Sequence, residues 1–77
     1  LNSKGGHMIK EKRISRNYTQ EKMAKLLGIS LRQYVRIDNE EDLPRRDVLY
    51  NLIIELELTD EEIGKYIRKM TKTTYNN

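Results

Sequence analysis

The side chains that could do chemistry in this chain are almost all charged. Of its 77 residues, 15 are lysine or arginine and 12 are aspartate or glutamate, while cysteine is absent and histidine occurs once. Disulfides, thiolate metal sites, a cysteine nucleophile and a histidine-based metal cluster are therefore excluded. The sequence also lacks the glycine-rich loops that cradle nucleotide phosphates. We therefore expect no enzymatic activity, no catalytic residue, no metal and no cofactor.

Two runs of carboxylates are the remaining candidates for metal binding. Residues 40–42 (Glu-Glu-Asp) lack the alternating ligand spacing of a calcium loop, and we interpret them as a solvated loop. Residues 60–62 (Asp-Glu-Glu) are interpreted as the first turn of a helix, where the helix dipole favours negative charge.

The charges are unevenly distributed along the chain, although the net charge is only +3. Residues 10–36 carry eight basic and two acidic side chains, residues 38–62 carry two basic and ten acidic ones, and residues 65–72 carry four basic ones. The two basic segments suit a polyanion such as a nucleic acid. Charges that merely solvate helix faces explain the same pattern equally well.

The ends of the chain differ from its middle. Residues 1–7 are patternless and glycine-rich, so we expect a cloning remnant without ordered structure, followed by a plausible native start at Met8. The domain is expected over residues 8–70, and residues 71–77 form a polar tail. No signal peptide or membrane-length apolar run is evident, which predicts a cytoplasmic protein that does not contact a membrane.

The spacing of the apolar residues predicts an all-α fold, a compact bundle of five short helices. We expect these helices at about residues 9–16, 20–27, 30–39, 45–57 and 60–70. The start and stop signals are the N-cap Thr19, the capping boxes Ser30/Gln33 and Thr59/Glu62, the left-handed stops Asn17 and Gly28, and Pro44 at the start of the fourth helix.

Helices two and three have the composition of a helix-turn-helix. Ala24 is small where the two helices would cross, and Gly28 permits the sharp turn between them. Ile29, Tyr34 and Ile37 would fix the third helix on the core, which leaves its opposite face free.

The chain resembles the Cro/C1-type helix-turn-helix family of phage repressors from Ile9 to about Ile63. The residues that carry the resemblance are Arg13, Thr19-Gln20, Ala24, Gly28-Ile29-Ser30, Arg36-Ile37-Asp38, Pro44 and the Leu49/Leu52/Leu56 stripe. The resemblance implies a lambda-repressor-like bundle that binds double-stranded DNA sequence-specifically. It implies a transcriptional repressor or regulator of a phage-like or mobile element, whose recognition helix, residues 30–39, enters the major groove.

The resemblance also implies roles for individual residues. The positions that read bases are Leu31, Arg32, Gln33 and Arg36, where arginine suits guanine, glutamine suits adenine and leucine suits a thymine methyl group. The positions that contact phosphate are Gln20 and Arg45, and the chemistry of Thr19, Lys22 and Ser30 suits the same role without coming from the resemblance. Lys10 and Lys25 would add non-specific attraction. Arg13 and Asp38 occupy positions that form a structural ion pair in several members.

The apolar face of helix five suggests self-association. Its residues are Ile63, Tyr66, Ile67 and Met70, which we expect at the interface of a homodimer bound to a two-fold operator. The alternative is that all four pack internally. Tyr34 and Tyr66 are interpreted as aromatics at the rim of the core or in an interface.

Some residues depart from the family pattern, and the acidic stretch among them, together with the basic tail, leaves an alternative function open. Lys12 replaces a common apolar residue, Val35 replaces a common small polar one, and Glu40 stands where glycine usually ends the recognition helix. The acidic stretch of residues 38–42 would repel phosphate. It could instead bind a partner protein, as in an antitoxin that neutralises its partner.

Overall fold

The structure, a computed structural model, describes the backbone of residues 7–75 and the side chains of residues 7–72. This part of the chain forms five α-helices and no strand, so the predicted all-α fold is confirmed. The helices are α1 (Met8–Ser15), α2 (Gln20–Leu27), α3 (Leu31–Asp38), α4 (Arg46–Leu56) and α5 (Asp60–Tyr75). Among them is no helix with the length and apolar character needed to span a bilayer.

Three helices begin at the caps that the sequence predicts. The hydroxyl oxygen of Thr19 accepts a hydrogen bond from a first-turn amide of α2. In α3, the backbone N–H of Gln33 donates to Ser30 Oγ, and the Ser30 N–H donates to Gln33 Oε1, both at 3.0 Å. Thr59 and Glu62 make the same reciprocal pair at the start of α5, at 3.0 and 3.1 Å. Each box satisfies two amides that the helix itself leaves unpaired.

A left-handed backbone residue follows each of the first four helices. Asn17 and Gly28 have φ values of 61° and 69°, which confirms both predicted stops. Glu40 and Glu57 take the same conformation at 54° and 52° without being glycine. A Cβ added at Gly28 would meet no atom within 4 Å, so glycine is favoured there by its backbone angle and not by lack of space.

The core receives side chains from all five helices. Its buried members are Ile9, Met23, Ala24, Leu27, Tyr34, Ile37, Val48, Leu52, Leu56, Leu58 and Tyr66. Tyr34 and Tyr66 expose 0% and 2% of their surface, so the interpretation of both as rim aromatics is wrong. The Tyr34 ring is buried and its hydroxyl donates to Asp38, one turn further along the same helix, so the polar end of the side chain is satisfied inside the domain.

The last two helices differ from the predicted boundaries. Pro44 lies before α4, whose N-cap is Arg45, so the helix begins at Arg46. α5 continues to Tyr75, five residues past Met70, so residues 71–75 are helical where a polar tail was expected. At the other end, the carbonyl of His7 accepts the amide of Glu11 at 3.0 Å, which places His7 at the N-terminus of α1. Residues 1–6 of the expected remnant and residues 76–77 lie outside the described residues.

Glu40 connects three helices at the end of α3. Its side chain is 2% exposed, and its two oxygens accept the backbone N–H of Ile9 at 3.0 Å and the ammonium of Lys69 at 2.7 Å. The carboxylate therefore caps the first turn of α1 and binds α5. For Glu40, the interpretation of residues 40–42 as a solvated loop is wrong, because its carboxylate is buried against α1 and α5.

Candidate nucleic-acid interface

α3 has one buried and one exposed face. Tyr34, Ile37 and Asp38 are buried, while the four candidate base-reading residues are exposed. Those exposed residues are Leu31, Arg32, Gln33 and Arg36. Leu31 is 42% exposed, so its side chain is accessible beside the polar residues of this face. The helix therefore presents an apolar side chain, an amide and two guanidinium groups on a surface that the core does not use.

A hydrogen-bond network around Asp38 fixes the orientation of α3. Arg13 donates from Nε to Oδ1 at 2.9 Å and from Nη2 to Oδ2 at 3.0 Å, so the structure joins these two residues in a bidentate ion pair. Tyr34 donates its hydroxyl to Oδ1 at 2.8 Å, and Gln20 donates Nε2 to Oδ2 at 3.0 Å. Arg13 also donates to the carbonyl of Tyr18 at 2.8 Å. One carboxylate thereby ties α1, α2 and α3 together.

The network shifts the titration of its members. Burial alone would raise the pKa of Asp38, but the hydrogen bonds from Arg13, Gln20 and Tyr34 outweigh it, and the net pKa is lowered. Burial and the bond to Asp38 raise the pKa of Tyr34 above its ordinary value. Asp38 is therefore charged and Tyr34 is neutral across the physiological range.

The capping box of α3 limits two of the predicted contacts. The Ser30 hydroxyl and amide are both engaged with Gln33, and Gln33 Oε1 accepts from them at 3.2 and 3.0 Å. The Gln33 amide nitrogen remains a donor toward solvent. Gln33 can therefore donate to a base acceptor while the box is intact, but a two-point contact with adenine also needs its carbonyl oxygen and would open the box.

The two arginines of the exposed face differ in their surroundings. Arg36 is paired with Asp42, at 2.8 Å from Nε and 2.7 Å from Nη2 to Oδ2. Glu41 lies 3.7 Å from its Nη1. Within the described residues, Arg32 has no ion pair. The acidic loop thus approaches one of these two candidate base-reading arginines and leaves the other open to solvent.

The candidate phosphate contacts lie near three helix starts. Thr19, Gln20 and Lys22 belong to the first turn of α2, where free amides and the helix dipole attract anions. Gln20 is half-buried because its Nε2 serves Asp38, while Lys22 is exposed. Ser30 caps α3. Arg45 lies at the start of α4, with a 79% exposed side chain and a loose 3.4 Å contact to Asp47. A groove lined in part by Gln33, Arg36 and Arg45 runs between the start of α4, where Arg45 lies, and the exposed face of α3.

The candidate dimer residues on α5 do not share one environment. Tyr66 is buried inside the molecule, whereas Ile63, Ile67 and Met70 are half-buried and pack on the core edge. The most exposed apolar side chains of the described residues lie elsewhere, and they include Tyr50 at 64% and Ile54 at 53% on α4. Only part of the predicted α5 face is therefore accessible to a second copy.

Two carboxylates near the site have roles that sequence reasoning missed, namely Glu40 and Asp42. Glu40 stands where members of the family usually have a glycine at the end of the third helix, which indicates that this helix ends differently. That difference does not reveal what the Glu40 side chain binds. Asp42 follows Arg36 by six residues across a chain reversal, where no periodic rule applies. Asp38 is also fully buried, so the exposed acidic surface consists of Glu41 and Asp42 rather than all of residues 38–42.

Comparison with known proteins gives one match. A family model described as Helix-turn-helix matches residues 9–63, which is more than half of the chain. No curated protein and no solved structure matches significantly. The matched residues extend from the second residue of α1 into the first turn of α5, and they include every side chain of the exposed α3 face.

Proposed function

The chain belongs to the Cro/C1-type helix-turn-helix family, whose members are DNA-binding regulators, and on that premise we propose that it binds duplex DNA sequence-specifically as a transcriptional repressor. The recognition helix is α3, which enters the major groove with its exposed face toward the bases. Its ligand is intracellular DNA, so we expect it to act in the cytoplasm.

The exposed face of α3 is the observation that supports this proposal. Tyr34, Ile37 and Asp38 hold the helix by its other side, so Arg32 and Arg36 project from a fixed backbone. A protein helix fits the width of the major groove, and base recognition requires side chains that stay in register while the duplex docks. The Asp38 network provides that rigidity without using any of the four base-reading residues.

The chemistry of these side chains gives each a role. Arg32 and Arg36 offer forked donors that match the O6 and N7 acceptors of guanine. Gln33 donates its amide to adenine or guanine N7, and Leu31 packs on a thymine methyl group. The operator half-site is therefore expected to contain guanines at the positions facing Arg32 and Arg36.

Phosphate contacts set the position of the helix in the groove. We assign them to Thr19, Gln20, Lys22, Ser30 and Arg45. Since the Ser30 hydroxyl is engaged in the capping box, its contact is made at the helix N-terminus as a whole rather than by a free hydroxyl. Lys10 and Lys25 add attraction that does not depend on sequence.

A homodimer completes the proposal. A single domain of this size reads only a few base pairs, and two copies on a two-fold operator double the contacted length. We assign the interface to the half-buried residues Ile63, Ile67 and Met70 of α5, with Tyr66 supporting them from inside the core.

Selection of bound duplexes from a random pool at physiological salt tests the proposal. We expect enrichment of a guanine-containing, two-fold sequence. The double reversal Arg32→Glu/Arg36→Glu should abolish its binding, while the charge-matched control Arg68→Glu/Lys72→Glu on α5 should retain the sequence preference. If no sequence is enriched, or if both double variants lose binding equally, the assignment of α3 as the reading helix is wrong.

A further inference from the structure

The Arg36–Asp42 pair has an unusual arrangement for a surface ion pair. A single oxygen, Asp42 Oδ2, accepts from both Nε at 2.8 Å and Nη2 at 2.7 Å. Both side chains are about half exposed, at 53% and 56%. The pair links the recognition helix to the loop that precedes α4, six residues along the chain. It therefore fixes the guanidinium of Arg36 relative to two different elements.

The pairing with Asp42 occupies one edge of the Arg36 guanidinium and leaves a second edge without a hydrogen-bond acceptor among the described residues. A guanidinium has a side edge, formed by Nε and one Nη, and an end edge, formed by the two Nη groups. Asp42 occupies the side edge. The end edge still carries two parallel donors, and Glu41, at 3.7 Å from Nη1, lies too far away to hydrogen-bond to it. Two parallel donors are what guanine O6 and N7 accept.

We propose that Asp42 is a specificity-determining positioning residue, which holds Arg36 with its end edge directed at a guanine. The proposal rests on the proposed DNA-binding function and adds a residue outside the recognition helix to the reading of one base. Asp42 touches no base in this role. It restricts the rotamers of Arg36, so that less side-chain entropy is lost when the guanine contact forms.

The same contact discourages non-specific binding. A free arginine at the groove edge binds any phosphate within reach, and this gain does not depend on sequence. An arginine already neutralised by Asp42 gains less from a phosphate, and the carboxylate itself repels the backbone. Asp42 therefore raises the ratio of specific to non-specific affinity in two ways, through orientation and through repulsion.

The alternative role of the pair is a mask that keeps Arg36 away from DNA. The two roles predict opposite effects of removing the carboxylate on the base preference, because an unmasked Arg36 would read its guanine at least as selectively, whereas an Arg36 that has lost its positioning residue would read it less selectively. The free end edge favours positioning, since Asp42 occupies only the side edge, whereas a mask would be expected to hydrogen-bond to both edges.

The test compares Asp42→Asn with Glu41→Gln, which removes the same charge from the adjacent loop residue. Three kinds of duplex serve as probes: the one selected from the random pool, variants of it with each of the other bases at one position, and a scrambled duplex. The varied position is the one at which Arg36→Ala relaxes the base preference. In Asp42→Asn, we expect the preference for guanine at that position to fall about three- to five-fold, which is the scale of an exposed ion pair. Glu41→Gln should keep the preference, and both variants should bind scrambled DNA at least as tightly as the parent protein.

A double-mutant cycle separates positioning from general electrostatics. In an Arg36→Ala background, Asp42→Asn should have no further effect on base preference, and in either background it should leave the thermal unfolding midpoint unchanged. Equal loss of the guanine preference in Asp42→Asn and Glu41→Gln, or an unchanged or higher preference in Asp42→Asn, would overturn the proposal while DNA recognition stands. If the parent protein itself prefers no sequence, the proposed function and this inference fail together.

Discussion

Arg13 and Asp38 lie 25 residues apart in sequence and form a bidentate ion pair that joins the first helix to the recognition helix. The Asp38 side chain is fully buried and that of Arg13 is 11% exposed, so the pair is almost free of solvent. A buried charge in this position is tolerated because Arg13, Tyr34 and Gln20 all donate hydrogen bonds to it. The orientation of the exposed α3 face, which we propose reads DNA, therefore depends on a residue of α1 that is not assigned any DNA contact.

Breaking this pair should be the most damaging single change in the domain. Arg13→Ala leaves a buried carboxylate without its counter-ion, which costs about 3–5 kcal/mol of unfolding free energy. A domain of this size has little more stability than that, so we expect this variant to be largely unfolded, and Tyr34→Phe provides a milder test. Losing the Tyr34 hydroxyl bond to a charged acceptor should cost about 1.5–3 kcal/mol.

Urea unfolding followed by circular dichroism measures the free energy of unfolding of both variants. Glu41→Gln, which alters only an exposed carboxylate, is the control and should unfold with the parent protein. If Tyr34→Phe is as stable as the parent, the hydroxyl contributes nothing to the network.

Acid should destabilise the domain through the same carboxylate. Because the pKa of Asp38 is lowered in the folded protein from its ordinary value of 3.8, its contribution to stability is complete above that pH. The contribution is lost as the pH falls through the folded-state pKa, where the carboxylate takes up a proton. The pKa of Glu62 is also lowered, by the Thr59 amide and by Lys12, so protonation of Glu62 at low pH destabilises the folded protein in the same direction.

Urea midpoints recorded from neutral pH down to pH about 2 test this dependence. In Tyr34→Phe, the folded-state pKa of Asp38 should rise, so the acid transition should move to higher pH. Glu62→Gln is the companion variant that removes the Glu62 contribution. A transition at the same pH in Tyr34→Phe and in the parent would show that Asp38 does not govern acid unfolding.

Local sequence rules predicted most of the helix boundaries. The caps Thr19, Ser30 and Thr59 and the stops Asn17 and Gly28 act within one helical turn, so their effect can be read from neighbouring residues. The resemblance placed Arg13 and Asp38 on facing positions, and the structure brings them together. The assignment of individual DNA contacts is still a prediction.

Contacts between distant residues were beyond these rules. Glu40 bonds Ile9 and Lys69, which lie 31 and 29 residues away, and no pattern in the sequence connects them. The extent of α5 was underestimated because residues 71–75 carry no apolar stripe, although the backbone there remains helical. Long-range hydrogen bonding and helix propagation both depend on the packed structure rather than on local composition.

Glu40 should stabilise the domain despite its left-handed backbone. Glu40→Ala removes the bonds to Ile9 and Lys69 and keeps the backbone strain, whereas Glu40→Gly also relieves the strain. We expect both variants to be less stable than the parent, with glycine about 1 kcal/mol better than alanine. Thermal unfolding of the three proteins measures the order, and a glycine variant more stable than the parent would show that the buried carboxylate contributes less than the strain costs.

The two classes of DNA contact should respond differently to substitution. Arg32→Ala should weaken operator binding by about 1–3 kcal/mol and relax the preference at one base position. Lys22→Ala should weaken all sequences alike and reduce the salt dependence of binding by about one counter-ion. Fluorescence anisotropy titrations at several salt concentrations give both quantities. A relaxed base preference in Lys22→Ala would mean that the positions assigned to phosphate and to base are exchanged.

Self-association should depend on α5 rather than on the more exposed apolar residues of α4. Ile67→Glu places a charge on the accessible part of the α5 face. Because burying that charge against a second copy is unfavourable, the variant should stay monomeric and bind only half-sites. Ile54→Glu is the matched control, because Ile54 is 53% exposed and lies outside the proposed interface. Sedimentation of the parent protein should show a concentration-dependent dimer, and the half-sites of the selected operator should be spaced by about 34 Å, one turn of the duplex. Loss of the dimer in Ile54→Glu but not in Ile67→Glu would assign the interface to α4.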